Sequence, residues 1–192
     1  MKAIANFLYE AGILAKTPRS GFYFLGSGEQ SVAEHLNRTC YIGFTLAQLD
    51  GTVDVGKVVQ MCLFHDFAES RVSDLNYVHQ KYTERFEERA MDDLVKTLPF
   101  GDKIAAIFDE YEERESKESI IAKEADNLEF ILSLKEQADI GNIRAREWIA
   151  IAMQRLKTDI GKEVANSILD TDSDAWWFGD KKNDWWVSRG KV

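Results

Sequence analysis

From Ile4 to Leu169 the apolar side chains of this chain return every three or four positions, and no stretch alternates convincingly at every second one. That spacing lines them up along one face of an α-helix and leaves no half-buried β-strand to be found. The clearest run is Ile120, Ile121, Ala125, Leu128, Ile131 and Leu132, which predicts a helix from Ser116 to about Asp139. Ile4, Phe7, Leu8, Ile13 and Leu14 predict another over 2–16. Ser31 followed three residues later by Glu34 is a capping box; a helix starts there and runs to Leu49, where Asp50-Gly51 ends it. Asp54 opens the next, which ends near His65-Asp66. Helices are also expected over Thr83–Leu98, closed by Pro99 and Gly101, and over 102–114, 142–156 and 158–170. Pro18 with Gly21, Gly26 and Gly28 marks a loop over 17–30, and 67–82 reads as irregular. The expected fold is all-α, one domain over residues 1–170 built as a bundle of seven or eight helices, with residues 171–192 as a tail.

Four of the five tryptophans stand in that tail, at 176, 177, 185 and 186. It is expected to fold back over an apolar groove, to contact a dimer partner, or to lie over a site. Base stacking is disfavoured by charge: 24 Lys and Arg face 33 Asp and Glu, a net charge of −9, with no basic run, and nucleic-acid binding needs a basic stripe. No apolar run is long enough to span a membrane, and MKAIANFLYEAG lacks the apolar core of a signal peptide. Cys40 and Cys62 lie in apolar helical stretches and read as two buried free thiols. A cytoplasmic protein without nucleic-acid or membrane partners is the expectation.

Only three histidines are present: His35, His65 and His79. His35 lies inside a helix, in SVAEH. His65 and Asp66 stand together at the polar end of an apolar helix, in LFHDFAES. Two imidazoles and a carboxylate are a good start for a divalent cation. The best further ligand is Asp126, in KEADNLEFI, which shares a face with Ala122 and Phe130 and needs a partner there. His79, in the irregular stretch, reads as a surface residue or pocket wall.

A helical His, a His-Asp pair thirty residues later, and an Asp sixty residues beyond it, on an all-helical background, resemble the HD superfamily of metal-dependent phosphohydrolases. The flanks PRSG, SVAEH, HDFAES and Asp74 in VSDL are similar to those of the 5′-deoxynucleotidase branch, over about residues 8–135. The resemblance implies an HD-type helical bundle and a homodimer that hydrolyses deoxyribonucleoside 5′-monophosphates with one divalent metal ion. It implies His35, His65, Asp66 and Asp126 as metal ligands. Glu69 matches the active-site glutamate, Asp74 an aspartate that touches substrate or assists the reaction, and Arg19 the arginine near the phosphate. Bacterial members carry a tryptophan after that arginine, which helps exclude a 2′-hydroxyl; this chain has Ser20, so its choice between deoxyribose and ribose is open.

Two His and two Asp leave coordination positions free for water and phosphate, and their charge of −2 balances a divalent ion such as Mn²⁺, Co²⁺, Mg²⁺ or Zn²⁺. Glu69 and Asp74 are the candidates for acid and base, unassigned between them; Arg19, Glu69 and Asp74 are the candidates for holding substrate. The alternatives are a phosphohydrolase of another small nucleotide or phosphoester, and a slow-turnover HD protein that binds nucleotides in a regulatory role. The extra histidines of dinuclear phosphodiesterases are missing.

Overall fold

Ser31, Asp54, Ser116 and Thr158 each turn a side-chain oxygen onto the backbone N–H three residues ahead, of Glu34, Lys57, Ser119 and Gly161. These four caps set where the principal helices begin in the computed structural model, which describes residues 1–180, 183 and 185–188. The chain order is α1 (Lys2–Ala11), α2 (Phe22–Leu25), α3 (Val32–Asp50), α4 (Val55–Phe64), α5 (Glu69–Val72), α6 (Tyr77–Gln80), α7 (Glu87–Val95), α8 (Gly101–Glu113), α9 (Lys117–Asp139), α10 (Ile143–Ala152), α11 (Asp159–Leu169), α12 (Ala175–Phe178) and α13 (Trp185–Ser188). Among the described residues no strand occurs, and eight of these helices run nine residues or more. No helix is long and apolar enough to cross a membrane.

The all-α expectation is met, with local corrections. The helix expected over 2–16 breaks after Ala11: Gly12 follows, and Leu14–Lys16 continue only as a 3-10 turn. The loop 17–30 contains the single turn α2, and the stretch 67–82 contains α5 and α6. The helix expected from Thr83 starts at Glu87. Cys62 is buried but Cys40 only half-buried, and both are free thiols.

Helix α9 runs through the middle of the bundle and packs against α3, α4, α8, α10 and α11. Its Ile121, Leu128, Ile131 and Leu134 join Leu46 and Met61 in the main core. A second core gathers Leu14, Phe67, Met91, Leu94, Ile104 and Phe108 beneath α1, α7 and α8. Helices α3 and α4 approach so closely at Gly43 that an added Cβ would stand 2.5 Å from Cys62 Sγ. Glu124, buried on α9, accepts the Lys157 and Thr158 N–H groups at 2.7 and 3.2 Å and so anchors the start of α11.

The tail follows α11. Ser173 N–H donates to Asp139 Oδ2 at 2.9 Å, and Trp177, Phe178 and Trp186 cluster with ring centres 5.0–5.7 Å apart, Trp186 meeting the other two edge to face. Trp176 is exposed. Residues 181, 182, 184 and 189–192 of the predicted tail lie outside the described residues.

Candidate metal centre and active site

The capping box at Ser31 fixes the first turn of α3 and thereby the bearing of His35, four residues on. His35 is fully buried. His65 closes α4, and Asp66 begins the tight turn that leads into α5. Asp126 lies near the middle of α9. These three segments bring their polar atoms to one point. His35 Nε2 stands 3.3 Å from His65 Nε2, 3.5 Å from Asp66 Oδ2 and 3.2 Å from Asp126 Oδ1. His65 Nε2 lies 3.4 Å from Asp66 Oδ2 and 3.8 Å from Asp126 Oδ1.

The outer nitrogen of each ring is already committed. His65 Nδ1 is 2.9 Å from the Cys62 carbonyl, which can only accept, so Nδ1 carries the hydrogen. His35 Nδ1 is 2.6 Å from Glu129 Oε2, again an acceptor. With both rings neutral, two Nε2 lone pairs and two carboxylates face one point, an arrangement that calls for a cation. Burial and Arg19 push His35 down, yet Asp126 and Glu129 outweigh them and carry it up to about 9, so a proton fills part of that need. Burial likewise opposes the charge on Asp126, but Lys123, His35 and His65 hold it well below the usual carboxylate range.

A divalent ion suits the same place. Two ligand atoms about 2.1 Å from one ion are about 3.4 Å apart in tetrahedral geometry and about 3.0 Å apart when adjacent in an octahedron. The five separations above run from 3.2 to 3.8 Å. Among the described residues, His35, His65 and Asp126 form the group whose ligand atoms all lie within 4.8 Å of one another; Asp66, expected as the fourth ligand, falls outside that group although its Oδ2 lies 3.5 and 3.4 Å from the two Nε2 atoms.

Glu129 holds the back of the cluster. It is fully buried, and burial alone would raise it. Its bond to His35, together with Arg38 and Gln30, brings it to about 2 instead. Arg38 Nε donates to Glu129 Oε1 at 2.9 Å, and its other nitrogens reach Ser133 and Glu136 at 2.6 Å. Sequence reading missed both residues. The signal was there in the spacing: Glu129 is three residues from Asp126 and Arg38 three from His35, each one turn along the same helix face.

On the open side, Arg19 Nη1 is 3.1 Å from Asp66 Oδ2 and its Nε is 3.7 Å from Asp74 Oδ2. The Ser20 N–H donates to Asp74 Oδ2 at 2.9 Å, and the Ser20 hydroxyl donates to the Asp74 carbonyl at 2.6 Å. Asn76 also donates to Ser20 Oγ, so the buried serine is spent on the loop it braces. Glu69 is buried, and among the described residues its Oε2 has no hydrogen-bond partner. Burial, then the nearby Asp66 and Asp74, push it up to about 10. Arg19, Asp66, Glu69, Asp74 and Asp126 all line one cavity of about 910 Å³. Tyr111 on α8, also missed, packs against the His65 ring at 5.1 Å and buries a hydroxyl that has no partner among the described residues. His79 lies exposed, outside this cavity.

All seven sequence candidates thus fall at one place. Residues 11–168 match the HD domain family model. The chain belongs to the HD-domain family. It is similar to 5′-deoxynucleotidase HDDC2 of Dictyostelium discoideum, 31% identical over 149 residues that make up 71% of this chain and 78% of that one. The HDDC2 5′-deoxynucleotidase of Danio rerio is 28% identical over 146 residues, 73% of this chain and 72% of the other. A conserved hypothetical protein of Pyrococcus furiosus shares the architecture, with a TM-score of 0.74 and 26% identity over 87% of this chain and 99% of that one. This HD-domain phosphohydrolase carries its helical His on α3 and its His-Asp pair at the end of α4.

Proposed function

We propose that this HD-domain protein is a phosphomonoesterase that hydrolyses deoxyribonucleoside or ribonucleoside 5′-monophosphates with one divalent ion, Mn²⁺, Co²⁺, Mg²⁺ or Zn²⁺, held by His35, His65, Asp66 and Asp126. The observation that carries it is the pair of Nε2 atoms facing each other at 3.3 Å beside two carboxylates, at the edge of a cavity that also holds an arginine and a glutamate with one unbonded oxygen. The relatedness to 5′-deoxynucleotidases supports the substrate class.

When bound, the ion supplies Lewis acidity toward a phosphate oxygen and a water. The protein's own groups do the rest. Arg19, tethered to Asp66 through one nitrogen, keeps other N–H donors for the non-bridging phosphate oxygens. Glu69, pushed up to about 10 in the metal-free site, holds a proton that it can place on the departing 5′ oxygen. Asp74, locked to Ser20, orients Arg19 and faces the sugar. The exposed apolar groove of about 780 Å³ beside α1, α3 and α4, with Tyr41, Phe44 and Leu63 on its wall, supports a homodimer closed over that face.

The test strips the protein of metal, restores Mn²⁺ or Co²⁺, and follows phosphate release from deoxyribonucleotides, ribonucleotides and p-nitrophenyl phosphate. Metal-dependent release that disappears in His65→Ala is the expected result. Tight nucleotide binding without release would instead favour the regulatory alternative.

A further inference from the structure

Arg19, Asp66, Glu69, Asp74 and Asp126 account for the phosphate end of the cavity but not for the wall beyond it. Helix α9 runs along that wall. Asn127 follows Asp126 directly, and Phe130 stands one turn further on, about 6 Å along the axis from Asp126. From the other side Arg155 reaches across. Its guanidinium lies 5.6 Å from the Phe130 ring centre and 5.5 Å from that of Tyr77, and it donates to the Tyr77 hydroxyl.

Asn127 is the anomaly. It is 7% exposed and lines the cavity, yet among the described residues no group hydrogen-bonds its side-chain amide. The other amides around the site are spent: Asn76 on Ser20 and its own helix, Gln30 on Glu129, Asn142 on Leu25 and Ser27. The side chain is nearly enclosed and its amide opens only on the cavity, so its donor and acceptor are left for whatever enters there. An amide offers a donor and an acceptor side by side. The partner that matches it is the edge of a planar heteroaromatic ring, which presents the same pair reversed, next to a face that stacks on an aromatic wall.

We propose that Asn127, Phe130 and Arg155 form a nucleobase subsite, with the ring lying against Phe130, its edge bonded to the Asn127 amide, and Arg155, held by Tyr77, closing the far side. This rests on the nucleotide reading above and adds which residues hold the base. Adjacent donor and acceptor atoms occur on every common base, so the subsite distinguishes a base from no base more sharply than one base from another.

Asn127→Leu tests it on the full-length, metal-loaded protein with two readouts. The first is kcat/KM for dAMP relative to abasic 2-deoxyribose 5-phosphate. The second is calorimetric binding of deoxyadenosine, which has no phosphate. The preference for dAMP is expected to fall about tenfold, and deoxyadenosine to bind more weakly by a similar factor. The melting temperature of the ligand-free variant should hold, because the substitution removes no hydrogen bond within the protein. An unmoved preference with unmoved nucleoside binding overturns the subsite. So does a lowered melting temperature with lost metal, which would make Asn127 a mere support for Asp126. Should the wild-type protein hydrolyse neither compound, the nucleoside still decides: binding weakened by Asn127→Leu upholds the subsite while the hydrolase reading falls, and no binding to the wild type overturns the subsite as well.

Discussion

Two glutamates flank the same histidine-aspartate cluster, and the fold treats them in opposite ways. Behind it, Glu129 sits among His35, Arg38 and Gln30 with every oxygen occupied, and is driven to about 2. In front, Glu69 is buried against Asp66 and Asp74 with an oxygen left bare, and is driven up to about 10. Burial raises both. What separates them is the sign of the charges each one meets. The back of the site is a satisfied network that fixes an imidazole, and the front keeps a proton available where a substrate can reach it.

Glu129→Ala should break the satisfied side most severely. It strands a buried imidazole and the guanidinium of Arg38, and removal of one partner from a buried charged pair costs about 3–5 kcal/mol. Chemical denaturation should show that loss, together with weaker Mn²⁺ binding; a stability within experimental error of wild type would mean that Glu129 is not what holds His35. Glu69→Gln should do the reverse. Folding should be unchanged below about pH 4.5 and favoured at neutral pH, where the unfolded chain ionises Glu69 but the folded chain holds its proton, while kcat falls roughly 10²–10⁴-fold. An unchanged kcat removes Glu69 from the chemistry.

The contrast also has a pH signature in the metal-free protein. A carboxyl held below its ordinary value of 4.5 contributes stability that is present above that value and lost as the pH drops toward 2; this is Glu129, worth about 3 kcal/mol. A carboxyl held above it contributes stability that is present below 4.5 and lost as the pH climbs toward 10; this is Glu69. Urea melts across the range should therefore show Glu129→Gln flattening the acid limb and Glu69→Gln flattening the alkaline limb. The two variants giving the same pH profile would erase the distinction.

The cluster's front was more legible in the sequence than its back. His35, His65 and Asp66 stand out because histidine is rare here and because an imidazole beside a carboxylate at the end of an apolar helix has little packing use. The cap at Ser31 and the helix start at Asp54 were legible because capping is a local interaction within four residues. Glu129 and Arg38 were not. In KEADNLEFI a glutamate among charges reads as solvated, and only tertiary packing reveals that α9 is surrounded by α3, α4, α8, α10 and α11 so that Glu124 and Glu129 are both buried. The break at Gly12 escaped for a related reason. The apolar periodicity continues through Ile13 and Leu14, and the 3-10 turn preserves it while the α-helix ends.

The smallest effect tests how the front is built. Ser73 joins α5, which carries Glu69, to Asp74. Its backbone lies at φ 65° and ψ 159°, a region that glycine tolerates and other residues adopt at a cost of roughly 1–3 kcal/mol. That conformation lets the Ser73 N–H reach the Glu69 carbonyl at 3.0 Å while the next residue turns its carboxylate to Ser20 and Arg19. No residue of the Glu129 network has a positive φ. Ser73→Gly should therefore raise stability by about 1 kcal/mol, through relief of the strained backbone set against the extra freedom of the unfolded chain. The same freedom should loosen Asp74 and raise KM for the phosphoester while leaving metal affinity untouched. A drop in melting temperature would show that the serine is held there by contacts rather than in spite of its backbone, and the strain would then be no part of how the acidic side is assembled.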